Sequence, residues 1–167
     1  WIEHSEIFLP VQAQKCFGER STLWNSVESI EKSGNAQLAR EFEVALPIEL
    51  SPEERYHLVQ EFIQKNLVEH GMCVDLAIHN PPLTNGFHVP IDKDGNPTTD
   101  KEAMIFQNPH AHIMTTMRPL DADGKWMDKY EKSYLCRKDN EELAIPSSKI
   151  REAEAEGWQK QYRYFIG

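Results

Sequence analysis

His110 and His112 flank a single alanine in the run Asn108-Pro109-His110-Ala111-His112-Ile113-Met114. On a β-strand, residues two apart project from one face with alpha carbons roughly 7 Å apart, so both imidazoles can aim at one point. His79 closes another alternating stretch, Met72 to His79. Pairing of those two strands would add its ring to the other two, giving a three-histidine site with positions open for water or substrate. The spacing alone leaves two readings open: a divalent metal site, or hydrogen-bonding histidines partly buried for structural reasons. Imidazole suits Mn, Zn, Ni or Co better than Mg by ligand preference. A ligating histidine usually donates its other ring nitrogen to a carboxylate or carbonyl. Glu43, on the polar face of its strand, and Asp75, on the same face as His79, are the candidates for orienting an imidazole. His4 and Glu6 are left undecided, and His57, His70 and His88 read as surface residues.

The elements that must position these groups are legible to different degrees. A strand is expected over residues 3–9, closed by Pro10, and a helix from Ser21 or Thr22 to Gly34 with Leu23, Val27 and Ile30 at helical spacing. Phe42, Val44 and Leu46 alternate with Glu41, Glu43 and Ala45 in a second strand stopped by Pro47. The clearest helix runs from Pro52 to His70, with Ser51 as N-cap, Glu54 completing a capping box and Gly71 as the stop. The strand after it carries Asp75, Ala77 and His79 on one face and Val74, Leu76 and Ile78 on the other. Residues 80–108, rich in Pro and Gly, form a long insertion before the strand that carries His110 and His112. Within it, Asp92-Lys93-Asp94-Gly95-Asn96 fails the calcium-loop spacing and reads as a turn. An Asp123-Gly124 turn, a short strand near 132–136 and a helix after Pro146, capped by Ser147 or Ser148, complete the pattern.

The chain has 167 residues, 40% hydrophobic and 27% charged, which predicts one domain with one core rather than a disordered or fibrous chain. Cys16, Cys73 and Cys136 are dispersed without a CxxC pair, a pattern that indicates neither a disulfide scaffold nor a cysteine zinc site and favours a reducing compartment. No apolar run approaches the ~18 residues of a membrane span, so a cytoplasmic location is expected. Trp1 opens directly into a strand pattern without an initiator Met, which predicts a piece of something longer. The formal charge of -9 argues against binding nucleic acid by bulk electrostatics, although basic residues gather between 118 and 138.

The run from Asp75 to Asn80, followed after the insertion by residues 108–120, resembles the metal-binding motif of the MobA/MobL family of conjugative relaxases. His4 to Pro10, Leu23-Trp24-Asn25, and Asn35 to Glu41 running on to Ala45-Leu46-Pro47 extend the resemblance over most of residues 4–120. It implies an α+β fold, the antiparallel sheet of a two-layer palm of the histidine-hydrophobe-histidine (HUH) endonucleases, with helices mainly on one face. It further implies that His79, His110 and His112 hold a divalent ion (Mn, Mg or Zn). The implied activity is nicking and rejoining of DNA at a plasmid's transfer origin through a phosphotyrosyl link. Single-stranded or hairpin DNA, a coupling ATPase and the secretion channel of conjugation are the implied partners.

In that family the attacking tyrosine lies upstream of the strand containing His4, and Tyr56, Tyr130, Tyr134, Tyr162 and Tyr164 lack its context. The expectation is a fragment that binds metal and single-stranded DNA yet does not cleave. Glu43 is favoured for the acid-base role, the other reading being an exposed edge carboxylate. Arg118, on the face of His110 and His112, would grip a phosphate or pair with a neighbouring carboxylate. Lys125 and Trp126, with Tyr130 and Tyr134 interleaved among further lysines, would either stack bases over a basic track or pack in a core. A rolling-circle replication initiator shares the histidine pair and is the neighbouring alternative. A non-catalytic DNA-binding metalloprotein and a cupin-like oxygenase come from other classes, the last disfavoured by the long helix after Pro52.

Overall fold

The computed structural model describes the backbone of residues 1–166 and the side chains of 1–130 and 132–161. Where the sequence reading treats the chain as one domain, it folds as two compact units, residues 1–126 and the remainder from 127. The first unit is built on a four-stranded antiparallel sheet of order β1-β3-β4-β2. Its strands are β1 (Ile2–Phe8), β2 (Ala39–Ala45), β3 (Val74–His79) and β4 (His110–Thr116). Both histidine strands therefore lie in the middle of the sheet, and His79 and His110 are direct partners in the ladder.

Alternation along β3 and β4 sends Val74, Leu76, Ile78, Ala111 and Ile113 to one face, where each is essentially fully buried. Helix α2 (Pro52–Asn66) covers that face with Val59 and Ile63, and Phe8, Leu46 and Val68 complete the cluster. The Ser51 and Glu54 capping box that starts α2 is present as the sequence predicts. A 3-10 turn over Val68–His70 follows α2, and Gly71, at φ 86°, ends it in the left-handed region. A Cβ at Gly71 would lie 2.8 Å from the carbonyl oxygen of Leu120, so the position needs glycine on two counts.

On the opposite face, helix α1 (Arg20–Ile30) packs Leu23 and Val27 with Phe17, Cys73 and Leu120, and Ile7, Trp24 and Trp126 border them. α1 begins at Arg20 rather than at Ser21 or Thr22, because Glu19 is its cap. The Glu19 carboxylate accepts from the Thr22 amide at 2.8 Å and the Thr22 hydroxyl at 2.9 Å, and from the Ser21 hydroxyl. Glutamate ranks outside the favoured N-caps, which hides this start from a sequence reading. The insertion is ordered by backbone bonds from Leu83 to Ile105, Ile91 to Leu83 and Ile105 to Ile91. The Asp92 carboxylate accepts from the amides of Asp94 and Asn96, which is the turn expected there.

The second unit is a three-stranded antiparallel sheet of order β6-β5-β7 with a short helix α3. Its strands are β5 (Glu131–Lys138), β6 (Glu141–Pro146) and β7 (Gln159–Ile166), and α3 spans Ile150–Ala155. Cys136, Ile145 and Ala153 form its buried centre. The helix starts later than Ser147 or Ser148 would set it, since Lys149 is its cap and gives no side-chain bond. β6 and β7 go beyond what the sequence reading placed.

Candidate metal centre

Three imidazoles converge on the sheet face opposite α2. Their ring centroids lie 5.6 Å (His79 to His110), 4.9 Å (His79 to His112) and 5.0 Å (His110 to His112) apart. One ligand nitrogen from each falls within 4.8 Å of the others. The register explains this: His79 is directly opposite His110, and His112 follows two residues along β4 on the same face.

Hydrogen bonds decide which nitrogens face the centre. Nδ1 of His110 donates to the carbonyl of Asn108 at 2.8 Å, and Nδ1 of His112 donates to Glu41 Oε1 at 2.7 Å. Both partners are acceptors only, so the proton sits on Nδ1 and the Nε2 lone pairs are left for a metal. Burial, then the neighbouring His112 and His110, hold the His79 imidazole below its ordinary pKa, which favours the neutral, ligating form. Nitrogen donors in this number and spacing fit a divalent transition ion with open positions.

The carboxylate that orients His112 is Glu41, and neither Glu43 nor Asp75, the two candidates expected from the sequence, does so. Glu43 sits directly across from His112 in the ladder, is exposed, and has no hydrogen-bond or ion-pair partner among the described residues. Glu41 and Glu43 share a face two residues apart, and only the side-chain conformation selects between them. Asp75 does share the histidine face but orients no imidazole. Its oxygens accept from Arg20 Nε at 2.7 Å, Arg20 Nη2 at 2.8 Å and Trp24 Nε1 at 3.0 Å.

Arg118 lies beyond the end of β4, where its Nε donates to Glu31 Oε1 at 2.8 Å. That ion pair is the second of the two roles open to it in the sequence. Trp126 is a packing residue: its ring stacks on Phe17 with centroids 5.6 Å apart, and Nε1 donates to Ser26 Oγ at 3.0 Å. Lys125 is exposed on the neighbouring turn, its amide bonded to Asp121. His4 and Glu6 fall on the α2 side, where His4 packs on Tyr56 and the Tyr56 hydroxyl donates to Glu6 Oε2 at 2.8 Å. Tyr56, the one tyrosine of residues 1–126, is thus on the wrong face to reach the histidines. Tyr130 and Tyr134 belong to the second unit, and Tyr162 and Tyr164 lie outside the described side chains.

Known proteins are similar to this chain in sequence and fold. The MobA/MobL family profile matches residues 1–165. The conjugal transfer protein TraA of Agrobacterium fabrum is 34% identical over an aligned length of 133, in a match that covers 74% of this chain and 10% of that protein. The mobilization protein MobL of Acidithiobacillus ferridurans is 32% identical over 74% of this chain and 32% of its own length. A solved structure described as the molecular basis of vancomycin resistance transfer in Staphylococcus aureus superposes with a TM-score of 0.57 at 31% identity. It covers 93% of this chain and 63% of that one. The chain spans only 10% of the length of the TraA relative. With the profile matched almost end to end, the chain belongs to the MobA/MobL family.

Proposed function

We propose that this chain supplies the metal-holding part of a DNA relaxase, the intact protein nicking and rejoining one strand at a transfer origin through a phosphotyrosyl link. The observation that carries the reading is the convergence of His79, His110 and His112 on one open sheet face, two of them pinned through Nδ1. A divalent ion held there, Mn, Mg or Zn, would polarise the scissile phosphate and offset the charge that grows in the transition state. Glu41 and the Asn108 carbonyl fix tautomer and ring angle, which keeps the ligand set preorganised. Glu43 would accept the proton of an attacking hydroxyl, a role supported by its register directly across from His112 and its uncommitted carboxylate. The attacking tyrosine in this proposal comes from polypeptide outside residues 1–167. The intact protein would work in the cytoplasm on single-stranded or hairpin DNA, handing it to a coupling ATPase and the secretion channel. Among the described residues no helix is long and apolar enough to cross a membrane.

Calorimetric titration with Mn and with Zn tests the site. Binding near one ion per chain is expected, and its loss in the His110→Ala, His112→Ala double variant. A folded chain that binds neither ion overturns the reading. Incubation with an origin oligonucleotide tests the division of labour: the chain joined to the upstream tyrosine segment should give a covalent adduct on a denaturing gel, and residues 1–167 alone should not.

A further inference from the structure

Arg20 and Asp75 lie on the histidine face, and the metal site uses neither. Asp75 is 7% exposed, and Arg20 holds both its oxygens through Nε and Nη2 in a planar two-point pair. Arg20 Nη2 also donates to Ser5 Oγ at 2.8 Å. A guanidinium carries five N–H donors. Three are engaged here, and the two on Nη1 have no protein acceptor among the described residues.

The exposure of this arginine separates it from others of the same unit. The side chains of Arg55 and Arg118, paired with Glu3 and Glu31, are 5% and 20% exposed, whereas that of Arg20 is 52% exposed over a buried carboxylate. A buried acid that fixes a half-open guanidinium is a built donor, with orientation settled and two N–H groups left over. The neighbouring acid Glu19 is engaged in capping α1.

Its position relative to the histidines follows from the ladder. Ser5 pairs with Ala77, and Ala77 pairs with His112, so the Arg20 anchor on Ser5 and the histidine site are two strand spacings apart, about 10 Å. The only side chain between them in that row is the methyl group of Ala77, which leaves the floor open. Resting on the relaxase reading above, we propose that Arg20 binds a backbone phosphate of single-stranded DNA neighbouring the one held at the histidine site, with Asp75 aiming it. Asp75 offsets part of the local charge while fixing the fork, so recognition leans on directed N–H donors beside a reduced electrostatic contribution, which suits a chain of net charge -9.

The test is anisotropy of a fluorescein-labelled oligo-dT of about twelve nucleotides, in Mn, from about 50 to about 300 mM salt. Arg20→Ala is expected to weaken binding about tenfold. It should also lower the slope of log affinity against log salt by up to about 0.7. Arg20→Lys should recover the slope but not the full affinity, since an ammonium keeps the charge without the fork. The Arg20→Gln, Asp75→Asn pair replaces the ion pair by a neutral one and should lose the slope as Arg20→Ala does. It decides the matter if circular dichroism shows that Arg20→Ala does not fold. Calorimetric Mn affinity should be unchanged in every folded variant. Wild-type binding whose affinity and slope all folded variants retain, with only the melting temperature falling, would make the pair structural and overturn the inference. Absence of DNA binding by the wild type would overturn the relaxase reading and this inference with it.

Discussion

His112 is aimed by Glu41, diagonal to it on β2, while Glu43 directly opposite stays uncommitted. Removing the Glu41 charge by Glu41→Gln is expected to lower metal affinity by about 10 to 100-fold, the usual effect of losing a carboxylate behind a ligating histidine. Glu43→Gln should leave affinity nearly unchanged while slowing strand transfer in the intact protein, and calorimetry beside a nicking assay separates the two. The histidines themselves were legible, because a two-residue spacing on a strand fixes a common face. Their carboxylate partner was not, because both glutamates obey the same alternation. Asp75 shows the complementary limit: its face is readable from β3, but Arg20 and Trp24 arrive from α1, far away in sequence. A second effect at this scale concerns pH. Hydrogen bonds from the Ser21 hydroxyl and from the amide and hydroxyl of Thr22 lower the Glu19 carboxyl from 4.5 to about 2. A depressed acid stabilises the fold above its unfolded pKa, and that contribution is lost as pH falls through the folded value. The melting temperature of Glu19→Gln should therefore lie below wild type at neutral pH, and the gap should close between about pH 4.5 and about 2.

Among the elements, α2 was the most legible at its start, where cap, capping box and first-turn proline agree; it ends at Asn66 instead of running on to His70, and Gly71 stops the 3-10 turn that follows. Its Ile63 is fully buried against the sheet face that backs the histidines. Ile63→Ala is expected to cost about 2 to 5 kcal/mol in urea unfolding, from lost burial plus the cavity left behind. β3 and β4 were equally clear, with apolar residues inward and histidines outward. The starts of α1 and α3 were obscured by the same cause, caps outside the favoured set, Glu19 in one and Lys149 in the other. Arg118 and Trp126 each had a packing or pairing role open beside the DNA role, and burial against Glu31 and Phe17 is what the fold provides.

At the scale of the whole molecule, the family resemblance over residues 4–120 coincides with the first compact unit, 1–126. The second unit has its own small core and was the part least specified by motif. Cysteine chemistry reports on both cores at once. Cys16 is exposed, whereas Cys73 and Cys136 are buried, and burial pushes the Cys73 thiol up to about 12. An aromatic disulfide reagent should label one thiol rapidly in the native chain and three in denaturant. Rapid labelling of a second native thiol would show that one of these cores opens readily.

His79 and His110 are partners in the ladder, so residues 80–109 enter and leave at one rung of the sheet. The two histidine-bearing strands are thereby clamped at the very point where the intervening chain departs. Chain-closure entropy grows only logarithmically with loop length, about 0.6 kcal/mol per doubling. Evolution, or an engineer, can thus shorten this excursion ahead of Asn108, whose carbonyl holds the His110 ring, or splice a new recognition module into it while the two histidines keep their positions.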